Sequence, residues 1–213
     1  MARIVDLLTS TARASDHVTG TEIREGKIVG FSESVRDGRA TVVDRKADGS
    51  LTYIFSGPTP TNETGTEEAC GLLVQWWSRG GQQWTLVAVD PMPLHTDAVA
   101  ESADGARVNI QVVRAMTAND FWHEADHEGQ VSRQHSCSDL AELIRGSIAK
   151  KTRIPNEHRP GIVLVLNALD TSALAFPDVV HAFKAAHGEW VRSLGFAEVW
   201  VIGQASGGIL RLD

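Results

Sequence analysis

Alternating apolar and polar residues mark three short runs near the start of the chain, at 21–31, 39–44 and 51–55. The turn formers Arg36-Asp37-Gly38 and Ala47-Asp48-Gly49-Ser50 separate them, so a small β unit is predicted. A Pro-, Gly- and Thr-rich stretch at 56–66 follows and is the expected internal boundary. Beyond it the apolar spacing changes to that of a helix over 67–78. Thr66 stands where an N-cap belongs, acids occupy the first turn where the helix dipole favours them, and Gly80-Gly81 closes the segment.

The rest of the chain mixes both periods. A strand is predicted at 84–90, then two alternating runs around Ala103-Asp104-Gly105 within 96–115, which read as a hairpin. A short helix starts at Asn119 or Asp120 and stops at Gly129. A longer one over 139–151, capped by Ser138, places Leu140, Leu143, Ile144 and Ile148 on one face. The unbroken apolar run at 161–169 reads as a strand covered on both faces. A helix with Pro177 near its start spans 177–194, and strands at 197–203 and 209–212 finish the chain. From residue 67 the order is α-β-β-β-α-α-β-α-β-β. This is an α/β class with a mixed central sheet flanked by helices over 61–213, and a small N-terminal β extension over 1–60.

Length and composition narrow this picture only a little. A chain of 213 residues suits one domain, or one with an appendage. No apolar run reaches the roughly 18 residues needed to cross a bilayer, and the first residues lack a secretory apolar core, so no membrane partner and a cytoplasmic setting are expected. Cys70 and Cys137 are too few for a disulfide framework. Charge is uneven: residues 61–143 carry a net −9 and residues 144–213 a net +2, within a total of −7. Arg145, Lys150, Lys151, Arg153 and Arg159 form a basic stretch opposed only by Glu157, a candidate surface for nucleic-acid phosphates.

The 96–115 hairpin carries the most suggestive chemistry. Asp97 opens one strand, and Asn109 and Gln111 lie on the next. Paired strands would set a carboxylate beside two oxygen-bearing side chains, a set suited to a hard cation such as Mg²⁺. An acidic helix, a three-strand meander bearing Asp, and a βαββ tail together resemble the PD-(D/E)XK, or restriction-endonuclease-like, nuclease superfamily over about residues 63–213. The resemblance implies a restriction-endonuclease-like core and divalent-metal-dependent hydrolysis of nucleic acid, with DNA the expected polymer and Mg²⁺ or Mn²⁺ the cofactor. Such a chain acts alone, as a homo-oligomer or with a protein partner in a defence or repair system. By the same resemblance, Glu67 or Glu68 takes the helix acid, Asp97 the metal-binding Asp, Asn109 the usual Glu and Gln111 the usual Lys. Gln111 cannot handle protons as an amine does, so Lys150 or Lys151 is expected to supply that group, as happens where the superfamily's lysine has moved to a helix. The loss of Glu and Lys leaves a second expectation, a silent member of the fold that binds nucleic acid or protein.

His123-Glu124-Ala125-Asp126-His127 matches the HExxH of zinc peptidases, with both histidines on one helical face. Charged Asp126 and Glu128, and a helix ended by Gly129, argue for a solvated turn anchored by Phe121 and Trp122. There is no Gly-rich phosphate loop and no Gly-x-Ser-x-Gly elbow. Trp76, Trp77, Trp84 and Trp122 have the surface to stack on bases, but their helix and strand positions favour packing.

Overall fold

A computed structural model describes residues 4–8, 15–24, 27–36, 38–46, 48–61, 65–92, 96–115, 119–203 and 208–213. Two six-stranded sheets and four α-helices make up these residues. The first sheet is an antiparallel meander of β1 (Ile4–Leu8), β2 (Ser15–Arg24), β3 (Lys27–Arg36), β4 (Arg39–Arg45) and β5 (Leu51–Ser56). The run expected as one strand at 21–31 is thus two strands, with Arg24 opposite Lys27. Gly20, Gly30 and the charged Glu25-Gly26-Lys27 blur the alternation there.

After the connection comes α1 (Thr66–Ser78). Its N-cap is Gly65 in the left-handed region, so Thr66 is the first helical residue and does not cap the helix. The strands β6 (Trp84–Met92), β7 (Thr96–Ser102) and β8 (Arg107–Arg114) form the expected meander, with Gly105 at positive φ in the β7–β8 turn. Next are α2 (Asn119–Glu128), a short β9 (Val131–His135) and α3 (Cys137–Ala149). Ser136, two residues before the expected Ser138, caps α3. Its hydroxyl accepts from the Asp139 amide while Asp139 accepts from the Ser136 amide, a reciprocal capping box. Then β10 (Ile162–Asn167), α4 (Pro177–Ser193), β11 (Glu198–Ile202) and β12 (Ile209–Arg211) complete the second sheet, in the order β12-β11-β10-β8-β7-β6. It is mixed: β8, β10 and β11 run parallel and the other pairs are antiparallel.

Burial explains the layers. All six residues of β10 are buried, because α1 covers one face of the second sheet and α3 with α4 the other. Ala69, Cys70, Leu73 and Val74 of α1 pack on Ala98, Ala100, Ile110 and Val112. On the far face Leu140, Ile144 and Ile148 of α3 join Phe183 of α4, and Val43, Leu51, Tyr53 and Phe55 of the first sheet share that core. β9 pairs with β5, so a strand from beyond residue 130 completes the first sheet. A buried Arg39–Asp170 ion pair and a 2.6 Å bond from the Thr41 hydroxyl to the Asp170 carbonyl tie the same sheet to the segment after β10.

Candidate active site

The register of the hairpin decides which side chains meet. Ala98 pairs with Ile110, and both are packed under α1. Their neighbours Asp97 and Gln111 therefore face the other side, toward α3. There they touch: the Gln111 amide donates to Asp97 Oδ2, and the Val112 backbone N–H donates to the same oxygen at 2.7 Å. Gln111 Nε2 also reaches the Val112 carbonyl at 3.3 Å. Among the described residues neither Asp97 Oδ1 nor Gln111 Oε1 receives a hydrogen bond, leaving one carboxylate oxygen and one amide carbonyl open on the same face.

Lys151 follows the end of α3, where the helix tightens into a 3₁₀ turn over Lys150–Arg153. Lys151 is half-buried, and among the described residues its amine makes no hydrogen bond and no ion pair. Burial holds the ammonium below the ordinary lysine pKa of 10.5; the charge of Asp97 opposes that shift and Arg153 adds to it. Asp97 and Gln111 are thus the sequence-expected residues that meet, with Lys151 within electrostatic reach of Asp97. Asn109 does not join them: it pairs with Val99, exposed and two residues nearer the hairpin turn than Gln111.

The acids of α1 stand apart. Glu67 is exposed and Glu68 half-buried in the first turn, and among the described residues no three His, Cys, Asp or Glu gather closely enough to hold a metal. The expected set of Asp97, Glu67 and Glu68 is therefore not assembled as a three-carboxylate cluster. The start of α1 does lie within electrostatic reach. The Cys70 thiol, pushed up to about 12 chiefly by burial, is raised further by the charge of Asp97.

The expected basic surface divides. Lys150 and Arg153 are exposed on either side of Lys151. Arg145 instead pairs with Glu142 at 3.5 Å and lies over the Trp190 ring of α4, 5.6 Å from its centroid. Arg114 donates to the carbonyls of Pro60 and Thr61 and so holds the connection before α1. The acceptance of the Val112 amide by Asp97 went unseen in the sequence, because it depends on strand register and not on residue type.

The HExxH helix has a different geometry. His123 and His127 do meet, with ring centroids 4.5 Å apart, but both are exposed. Glu124, the residue a zinc peptidase needs as its base, is held in an ion pair by Arg133 of β9. Trp122 is buried edge-on to Phe55, so α2 is anchored as expected. Trp77 and Trp84 pack together over the α1 face, beside an open groove of about 530 Å³. His135 packs edge-on to Tyr53 and Phe121, and burial lowers its pKa while raising that of Cys137. Neither is tuned as a base or a nucleophile. Among the described residues no helix is long and apolar enough to cross a membrane. Comparison with protein families, with curated proteins and with solved structures finds no match to this chain.

Proposed function

We propose that this chain is a divalent-metal-dependent nuclease of the PD-(D/E)XK kind, with a restriction-endonuclease-like core, hydrolysing phosphodiester bonds of nucleic acid and of DNA first. The observation that carries the reading is the meeting of Asp97 and Gln111 from adjacent strands, with the half-buried Lys151 of a helix end within electrostatic reach of Asp97. The helix–meander–βαββ order of the second sheet supports it.

The open oxygens suit a hard cation. Mg²⁺ asks for one or two protein carboxylates and completes its shell with water and substrate phosphate, so Asp97 Oδ1 and Gln111 Oε1 would hold it. Bound there, it would polarise a phosphate oxygen and acidify water. The chain's own residues do the rest. The Val112 amide and the Gln111 side chain fix the Asp97 carboxylate in one orientation. Lys151 Nζ, kept below its ordinary pKa, has a larger neutral fraction near pH 7 than a free lysine and takes the proton of the attacking water. Lys150 and Arg153 attract the backbone on either side.

A second reading, a silent nuclease-fold module that binds nucleic acid or protein, is favoured by one fact: among the described residues Asp97 is the sole carboxylate joined to Gln111, and one of its oxygens already accepts two donors. Incubation with supercoiled plasmid and with single-stranded RNA, in Mg²⁺, in Mn²⁺ and in chelator, separates the two. Metal-dependent nicking lost in Asp97→Ala and in Lys151→Ala supports the nuclease. Salt-sensitive binding without cleavage in any metal supports the silent module.

A further inference from the structure

Arg159 is buried, yet among the described residues it pairs with no carboxylate. Its guanidinium is instead surrounded by main-chain carbonyls. Nε donates to Ile154 O at 2.8 Å, Nη1 to Leu194 O at 3.0 Å, and Nη2 to Thr152 O. The ring of Phe196 lies 5.7 Å from the guanidinium carbon. Taking a charge out of water is costly unless hydrogen bonds replace the lost hydration, and three donors shared among three carbonyls do so here.

The placement of those carbonyls is informative. Thr152 directly follows Lys151, and Ile154 closes the same 3₁₀ turn by donating its amide to Lys151 O at 3.0 Å. Leu194 caps the far helix α4. Arg159 thus pins the turn that bears Lys151 to the end of α4, while Thr152 Oγ1 bonds Ala149 O at 2.7 Å from the α3 side. A four-residue 3₁₀ turn has poor hydrogen-bond geometry of its own and needs such support to keep one conformation. Lysine would not substitute, since a compact ammonium lacks the planar fork that spans carbonyls on two separate segments.

We infer that Arg159 is a positioning residue for Lys151: through the carbonyls of Thr152, Ile154 and Leu194 it fixes the 3₁₀ turn that presents the half-buried Lys151 amine. This rests on the reading of Lys151 as the working amine of that site, and its test is made without activity. Lys150, adjacent and exposed, is an internal standard. Brief acetylation with an amine-selective ester, followed by mass spectrometry, gives the ratio of labelling at Lys151 to that at Lys150. In the native chain the two label at clearly different rates, because the turn keeps Lys151 half-buried with a lowered pKa while Lys150 is exposed. In Arg159→Met the turn swings out, and the two label alike under conditions where circular dichroism shows a folded protein. A lowered melting temperature with the labelling ratio unchanged would mean that Arg159 only stabilises the fold, and would overturn the proposal. Should Arg159→Met not fold, Arg159→Lys is read the same way, and an unchanged ratio there overturns it equally. With plasmid as substrate, Arg159→Lys lowers kcat and leaves KM nearly unchanged. A chain that cleaves nothing but shows the labelling change sinks the nuclease reading and leaves the positioning role intact.

Discussion

Two regions of this molecule each carry a recognisable set of chemical groups, and they differ in how the fold treats them. On α2 the letters of HExxH are complete and the histidines meet, but they face water and the central Glu124 is held by Arg133. At the β7–β8 hairpin the letters fit poorly, yet Asp97 and Gln111 meet from two strands, with Lys151 of a third element within electrostatic reach of Asp97. Helical spacing guarantees only that two residues share a face. A working site also needs groups brought from distant parts of the chain, partial exclusion of water, and a base left unpaired. The Asp97–Gln111 pair joins two strands and is partly shielded from water, whereas the α2 histidines face it.

The comparison breaks most readily at Lys151. Replacement by Ala is expected to reduce cleavage of plasmid by about 10²–10⁴, the range for a positioned acid-base group, while His123→Ala leaves the rate unchanged. A rate lost equally in both would reverse the roles of the two regions. Next in size is an effect on stability. Trp122, buried against Phe55, should cost about 3–5 kcal/mol on truncation to Ala, read by urea melts, because α2 serves as an anchor for the first sheet.

The pH profile sharpens the contrast further. Because the folded chain gives up the Lys151 proton below 10.5, the unfolded chain binds more protons between the folded value and 10.5. Stability contributed by this residue therefore rises with pH through that window, and on the proposed nuclease reading cleavage is expected to rise on the same limb as the neutral amine forms. Rate measurements across alkaline pH should show that limb in the native chain and its absence in Lys151→Ala. Smallest is the effect of Arg133→Ala, which frees Glu124. A partly exposed ion pair contributes less than about 1 kcal/mol, and zinc-loaded variant protein should still cleave no peptide.

Much of this architecture was legible in the sequence where the signal is local. The unbroken apolar run of β10, the acidic start of α1 and the β7–β8 hairpin each announce themselves through period and turn residues. So did the meeting of Asp97 with Gln111. What escaped depends on distant partners. In β9 only Val131 is buried, so five residues carry no alternation to betray a strand, and its pairing with β5 arises from the fold as a whole. Asn109 fell away from the site because the register sets it opposite Val99, two residues along the strand from the position opposite Asp97. Arg159 read as one more surface cation, since nothing local reveals that three carbonyls close around it.

The pairing of β9 with β5 bears on how this chain can be cut. A natural-looking excision at residue 60 would strip β9 of its partner and lay bare the apolar rows of α3 and α4 that Leu51, Tyr53 and Phe55 now cover. The fragment 61–213 would then carry a raw strand edge ready to recruit another copy, so it is expected to aggregate where the whole chain stays dispersed.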